Sequence, residues 1–285
     1  MIRPVHPSAT GLVAGTYHRR MNGYDTTLTG RRALVTGGGS GIGAAIAATM
    51  RAAGADVRTC DIDPDSGADH ICDVTDAAAV AELFAQLDHE LGGLDICVNN
   101  VGVAGPTGLV DEMDADDFDR CVQINLGGTF RVTREAVQRM RAAGRGSIVN
   151  ISSTAGHFGY PLRSPYVASK WAVEGLTQTW AMELGRHRIR VNCVAPGTIA
   201  GARMQGVIDR EAEAMGIDAA DVKAAYEDQV SMRSFVGATD IAATVAFLCS
   251  DAARLINGQI VSVDGHTETL RTAFPDDERA GEVDF

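Results

Sequence analysis

Arg32-Ala33-Leu34-Val35-Thr36 runs straight into Gly37-Gly38-Gly39-Ser40-Gly41-Ile42-Gly43, and the chain continues Ala44-Ala45-Ile46-Ala47-Ala48. The first five residues are mostly apolar and suit a strand covered on both faces. The alanine-rich run after Gly43 reads as a helix. Glycines between the two permit a tight turn and let the backbone approach a pyrophosphate resting on the helix N-terminus. A glycine-rich turn alone would fit any strand-to-helix connection. The strand before it and the helix after it point to a nucleotide.

Outward from this unit the same alternation continues. Short β-rich runs fall at Arg32–Thr36, Asp56–Cys60, His70–Asp73, Leu94–Asn99, Ser147–Ser152, Ile189–Ala195 and Gln259–Val263. Helical stretches separate most of them, at Ala44–Ala53, Ala77–Leu91, Ala115–Ala142 and Pro165–His187, with another near Asp240–Ser250. The pattern predicts an α/β fold, a doubly wound parallel sheet of seven strands with helices on both faces, in a single domain. Residues 1–27 read as a flexible N-terminal extension, 28–270 as the domain and 271–285 as an acidic C-terminal tail. A Met- and acid-rich helical insertion at about 198–235 follows a strand's carboxyl end, where ligands bind in such sheets, and reads as a substrate lid.

Bulk properties narrow the function. The 285 residues carry a net charge of −12, with 45% hydrophobic and 22% charged residues. That acidity argues against a nucleic-acid or anionic-membrane partner, since both need a basic face. No apolar run reaches membrane-spanning length, and residues 1–20 lack the apolar centre of a signal peptide. Cys60, Cys72, Cys97, Cys121, Cys193 and Cys249 are scattered, none spaced as a metal site. They read as buried reduced thiols of a cytoplasmic protein.

Two further constellations carry chemistry. Asp61 ends the second strand, where a carboxylate accepts from adenosine ribose hydroxyls and repels a 2′-phosphate; with Ser40 rather than a cation beside Gly41, it favours NAD over NADP. Tyr166 and Lys170 stand four residues apart at the start of a helix and so share a face. A free phenol is too weakly acidic to serve as a base at neutral pH; a neighbouring ammonium and a positive nicotinamide ring stabilise its anion. Ser153, 13 residues before Tyr166 at a strand's end, separates this pattern from a chance surface pair.

TGGGSGIG at 36–43, CDV at 72–74, NNVG at 99–102, Asn125 in VQINLGGTF, ISSTAG at 151–156, YVASK at 166–170 and VNCVAPG at 191–197 resemble, in order, the motifs of the short-chain dehydrogenase/reductase family. The resemblance spans roughly residues 28–266 and implies a Rossmann-type sheet and a homotetramer, with a dimer on the long helices as the alternative. It implies that Ser153 hydrogen-bonds the substrate oxygen and Tyr166 exchanges its proton. Lys170 would also hold the nicotinamide ribose, and Asn125 would fix a water in a proton relay. By the same resemblance Gly37, Gly39, Ser40, Gly41, Ile42 and Gly43 cradle the pyrophosphate, and Asp73 and Val74 contact adenine. Asn99 and Gly102 would shape the cofactor floor, with Pro196 and Gly197 flanking the nicotinamide. Two positions depart from the family pattern. Gly201 stands where a Thr often meets the nicotinamide amide, leaving Thr198 as the substitute, and Gly265-His266 replaces a pair of glycines.

The expected reaction is NAD-dependent interconversion of a secondary alcohol and its ketone. His157 and Arg163, in the TAGHFGYPLRSP segment at 154–165, are polar where a steroid pocket would be apolar. With Met204 of the insertion they are the candidate substrate residues, and they point to a polyol, sugar-derived or cyclic alcohol. Solvent-facing loop positions, or helix-lining ones for the methionines of the insertion, are the competing reading. His266 and Glu268 could reach a neighbouring subunit. A 3-oxoacyl thioester reductase is the alternative within the class, disfavoured by Asp61 and the acidic charge. A non-catalytic NAD-binding regulator is the alternative from another class, and it leaves the Ser153–Tyr166–Lys170–Asn125 set without a purpose. A methyltransferase would leave YVASK unexplained.

Overall fold

Side chains alternate along β1 (Arg32–Thr36), so Ala33 and Val35 enter one core and Leu34 the other. The computed structural model describes residues 25–270, without the side chains at 202, 203, 210, 211, 214 and 215. The expectations for the N-terminal extension and acidic tail fall largely outside that range. Among the described residues β1 joins β2 (Asp56–Asp61), β3 (His70–Ile71), β4 (Ile96–Asn99), β5 (Gly146–Ile151), β6 (Ile189–Pro196) and β7 (Ile260–Val263). They form one seven-stranded parallel sheet in the order β3-β2-β1-β4-β5-β6-β7.

Helices cover both faces, as the continuous apolar strands require. On one side α1 (Gly41–Ala52) and α8 (Ala238–Cys249) bring Ile46, Met50, Ile241, Val245 and Leu248 against Val35, Ile96, Val98, Val149 and Val194. On the other, α2 (Ala77–Leu91), α4 (Gly128–Ala143) and α5 (Ser164–Leu184) pack Leu83, Phe84, Val132, Met140 and Trp180 against Leu34, Cys97, Ile148 and Val191. All six cysteines are free and buried, and burial pushes the thiols of Cys97, Cys193 and Cys249 up to about 12.

Three expectations shift. The run expected as one helix over 115–142 is α3 (Ala115–Val122), a π-helical turn at Gln123–Gly127, and then α4. The consecutive glycines Gly127 and Gly128 fall where α4 begins, and Gly128 packs so close to Val74 that a Cβ there would stand 2.6 Å from its Cγ2. β3 leaves the sheet at Cys72, because Asp73 Oδ1 takes the amide and hydroxyl of Thr75 (both 2.8 Å) and turns the chain. The insertion is a helical hairpin, α6 (Ala202–Met215) and α7 (Ala219–Asp228), with a small core of its own around Ile208, Ala212 and Val222. Its stem is closed by Ala200 N–H to Val236 O (2.9 Å) and Val236 N–H to Thr198 O (2.9 Å).

The chain after Gly265 is tied down as far as Glu268. Asp264 accepts the amides of His266 and Thr267, and Glu268 N–H donates to Gln229 O (2.8 Å) behind α7. His266, in place of a glycine, keeps the left-handed backbone a glycine would adopt (φ 67°) and meets Ser231 Oγ at 3.1 Å through Nδ1.

At the opposite edge of the sheet, Asp95 binds the starts of β1 and β5 to that of β4. Its side chain is 1% exposed and receives Arg32 Nε at 2.8 Å and Arg145 Nε at 2.9 Å. Burial alone would push this carboxyl up; the hydrogen bonds and charge of Arg32, with the charge of Arg145, outweigh it and hold the group below the ordinary carboxylate range. Its contribution is therefore complete above the unfolded-state value near ~3.9 and lost as pH falls through the depressed one. Asp95→Asn is expected to cost about 2–3 kcal/mol at neutral pH, less than for a fully buried pair because both arginines are partly solvated. Urea denaturation across pH checks this: the gap to wild type should close in acid, and a gap independent of pH would refute it.

Candidate active site

Parallel strands deliver their carboxyl ends to one edge, and the side chains singled out from the sequence gather there. The loop after β1 is held by the end of β4. Asn100 Nδ2 donates to the carbonyls of Thr36 (3.1 Å) and Gly37 (3.0 Å), and its amide donates to Thr36 Oγ1 (3.1 Å). Within the loop α1 closes on itself so tightly that a Cβ on Gly43 would stand 2.0 Å from the Gly37 carbonyl oxygen. Ser40 makes no side-chain cap and the first turn of α1 has no acidic residue, so the positive end of the helix is unopposed. This cradle fits a pyrophosphate.

Asp61, the last residue of β2, places Oδ2 3.2 Å from the amide of Gly39, which donates to it. Asp63 and Asp65 follow within the next turn. Nearby arginines are engaged elsewhere: Arg58 with Glu90 (2.7 Å) and Asp56, and Arg51 with Asp69 (2.9 Å).

On the other side of the sheet's centre stand the residues around Tyr166. Lys170 is 4% exposed, donates from Nζ to Ile151 O (2.8 Å) and lies 5.7 Å from the centroid of the half-buried Tyr166 ring. Ser153 leaves β5 in extended backbone and caps a 3-10 turn, Thr154–Gly156, its Oγ accepting from Ala155 N–H at 3.2 Å. Its neighbour Ser152 points the opposite way, as strand alternation requires, and donates to Glu174 Oε1 (2.9 Å) in the interior.

Asn125 lies within the π-turn, 1% exposed. Its Nδ2 donates to Val103 O and Ser169 Oγ (both 3.0 Å), and its Oδ1 accepts the Val103 amide (2.8 Å). Both ends of the amide are thus occupied. The main-chain carbonyl of Asn125 accepts from Thr129 Oγ1 (2.7 Å). Gly102 faces the same spot: a Cβ there would come within 3.3 Å of Lys170 Nζ and 3.5 Å of Asn125 Oδ1.

Asn99 turns into the interior, donating to Thr133 Oγ1 (2.9 Å) and Asn150 Oδ1 (2.8 Å), so its side chain braces β4 from beneath. Val74 is buried in the core against Gly128. Pro196 ends β6, Gly197 packs on Asp264, and Thr198 opens the hairpin stem. Arg163 immediately precedes α5 without a side-chain capping bond, its guanidinium 5.9 Å from the Tyr160 ring centroid. Met204 packs on the hairpin's own core. His157 ends the turn that Ser153 begins, with Nδ1 3.3 Å from Glu174 Oε1. An open cleft of about 530 Å³ lies beside it, lined by Phe158, Tyr160, Val167, Glu268 and Leu270 among others.

The sequence reading missed Asn100, Ser169 and Glu174. Strand parity was the available signal for Asn100: if Asn99 points to one face, its neighbour points to the other. Nothing local distinguishes Glu174 from an exposed helical glutamate.

A family model described as enoyl-(acyl carrier protein) reductase matches residues 37–266. Momilactone A synthase of Oryza sativa subsp. japonica is 36% identical over 266 residues, covering 87% of this chain and 93% of that one. Levodione reductase of Leifsonia aquatica is 33% identical over 84% of this chain and 95% of its own length. The structure of NAD+-bound xylitol dehydrogenase superposes with a TM-score of 0.78 at 29% identity, covering 84% of this chain and 99% of that one.

Gly43→Ala tests the cradle. The added methyl has no space and is expected to cost about 1–3 kcal/mol by overpacking. NADH binding, followed by fluorescence, should be lost at temperatures where circular dichroism still reports folded protein. Unchanged NADH affinity would mean that the ligand does not lie along this loop.

Proposed function

The chain belongs to the short-chain dehydrogenase/reductase family, and from that premise we propose that this oxidoreductase interconverts a secondary alcohol and its ketone using NAD. The observation that carries the proposal is the seating of Lys170, its ammonium pinned 2.8 Å from Ile151 O and 5.7 Å from the centre of the Tyr166 ring, with Ser153 at the end of the same strand.

Residues 37–43 and Asp61 would hold NAD, which when bound would supply the acceptor for a hydride from the carbinol carbon. Ser153 Oγ donates a hydrogen bond to the substrate oxygen and orients it. Tyr166 Oη, as the anion, takes the hydroxyl proton while the C–O bond becomes C=O; in the reductive direction it returns that proton. The Lys170 ammonium, 5.7 Å from the ring centroid, sets a positive charge beside the group that transfers the proton. Its bond to Ile151 O keeps the long side chain in one rotamer, so little ordering remains to be done when substrate arrives. Asn125 contributes by fixing Val103 and Ser169, and through Ser169 Oγ, which donates to Tyr166 O (2.8 Å), the start of α5.

Three carboxylates at 61, 63 and 65, with the nearest arginines occupied, favour a free ribose 2′-hydroxyl over a 2′-phosphate. The polar segment 154–165 favours a polyol, sugar-derived or cyclic alcohol, and xylitol, the substrate in one structural relative's name, is a polyol. Assembly into a homotetramer belongs to the same reading. It is supported by the exposed apolar side chains Phe130 on α4 and Trp171 and Met182 on α5, and light scattering at micromolar concentration should return four chains.

Spectrophotometry at the reduced-nicotinamide band, with polyols, sugar acids and cyclic alcohols, tests the reaction. NAD should be turned over in preference to NADP, and Asp61→Ser should narrow the difference. Tyr166→Phe should lower kcat by about 10²–10⁴-fold while NADH still binds. Turnover that survives in Tyr166→Phe would overturn the proton-transfer role, and NADP preference in wild type would overturn the role of Asp61.

A further inference from the structure

Glu174 is a buried carboxylate that the proposed chemistry leaves without a role. It lies on α5 one turn beyond Lys170, its side chain 11% exposed, and among the described residues no lysine or arginine pairs with it. A carboxylate so placed needs donors. Two converge on Oε1: Ser152 Oγ at 2.9 Å and His157 Nδ1 at 3.3 Å. The turn between them is moulded around that oxygen, since a Cβ on Gly156 would stand 2.2 Å from it and 2.5 Å from Ser152 Oγ.

This arrangement fixes more than the ring's direction. A carboxylate only accepts, so the neutral imidazole beside it must carry its proton on Nδ1 and present Nε2 as a bare lone pair. Among the described residues Nε2 has no protein partner, and the side chain is 31% exposed. Ser153 begins and His157 ends one 3-10 turn, Thr154–Gly156, so a single short segment sets both the hydroxyl and the ring.

We propose that the Glu174–His157 pair is a recognition site for a second substrate hydroxyl, so that the preferred substrates are diols or polyols rather than simple alcohols. The hydroxyl donates to His157 Nε2, and Glu174 keeps that nitrogen an acceptor. This rests on the alcohol–ketone reading for the position of Ser153. It adds a requirement that reading does not contain: a donor on a carbon near the carbinol.

The test follows ring nitrogens by NMR in protein labelled with 15N-histidine, above the ordinary imidazole titration range, with the His157 signals assigned by their loss in His157→Asn. Wild type should show the Nδ1–H tautomer. With NADH present, cis-cyclohexane-1,2-diol should move the Nε2 resonance while cyclohexanol leaves it in place. Glu174→Gln, which offers Nδ1 an amide donor, should loosen the tautomer. It should also reduce the preference for diol over mono-ol in kcat/KM by about tenfold, the size of one hydrogen bond, with the effect mostly in KM. An Nε2–H tautomer in wild type, or equal response to both alcohols, overturns the proposal whether or not the variant folds. Diol-specific movement of Nε2 without turnover of either alcohol would leave it standing and count against the alcohol–ketone reading instead.

Discussion

Parallel pairing is the constraint from which the site follows. Strands that all run one way place every carboxyl end on one edge, and each must then be followed by a helix crossing back over a face. The glycine loop after β1, Asp61 at the end of β2, the Asn100 turn after β4 and Ser153 after β5 are neighbours because of that geometry, though up to 116 residues separate them in sequence. The opposite edge is sealed by Asp95 and its two arginines, so the two ends of the sheet divide the work: one holds the strands in register, the other is left polar and open.

Three polar anchors, two of them buried and Asn100 half-buried, then convert a crowded edge into a defined one. Asn100 ties β4 to the glycine loop, Lys170 ties α5 to β5, and Asn125 ties the segment after β4 to α5. Each uses hydrogen bonds to main-chain carbonyls or to an interior hydroxyl. Such bonds are costly to leave unmade in a dry interior and so specify one arrangement. The ammonium of Lys170 is the costliest of these groups to bury. Its seat at the Ile151 carbonyl indicates that the position of that charge is itself under constraint.

Much of this was legible in the sequence because it rests on local pattern. Strands buried on both faces read as continuous apolar runs, and the loop at 37–43 reads by its glycines. The parity of Ser152 and Ser153 follows from strand alternation alone. What could not be read is non-local. Nothing in VQINLGGTF announces a π-turn, because the tilt of α3 toward α5 and of α4 toward β4 and β5 is decided by packing. The interior bonds of Asn99 are one case, since its partners Thr133 and Asn150 lie 34 and 51 residues away. Glu174 sits in the middle of a helix with no local mark of burial, and only the fold brings it under Gly156.

The π-turn at Gln123–Gly127 has a bearing on how this chain can change over evolutionary time. An α-helix turns by about 100° per residue, so one extra residue inside a continuous helix re-aims everything after it by that angle. The stripe that seats Cys121 near α5 and the stripe of Val132, Ala136 and Met140 on the sheet are two separate commitments joined by that single residue. The hairpin of α6 and α7, with its own core and a stem closed by Thr198, Ala200 and Val236, can absorb insertions and deletions without disturbing the sheet. Between Ala115 and Ala143 length is as fixed as the buried residues themselves: loss of one residue there would present α4 to the sheet by the wrong side and carry Asn125 out of the site with it.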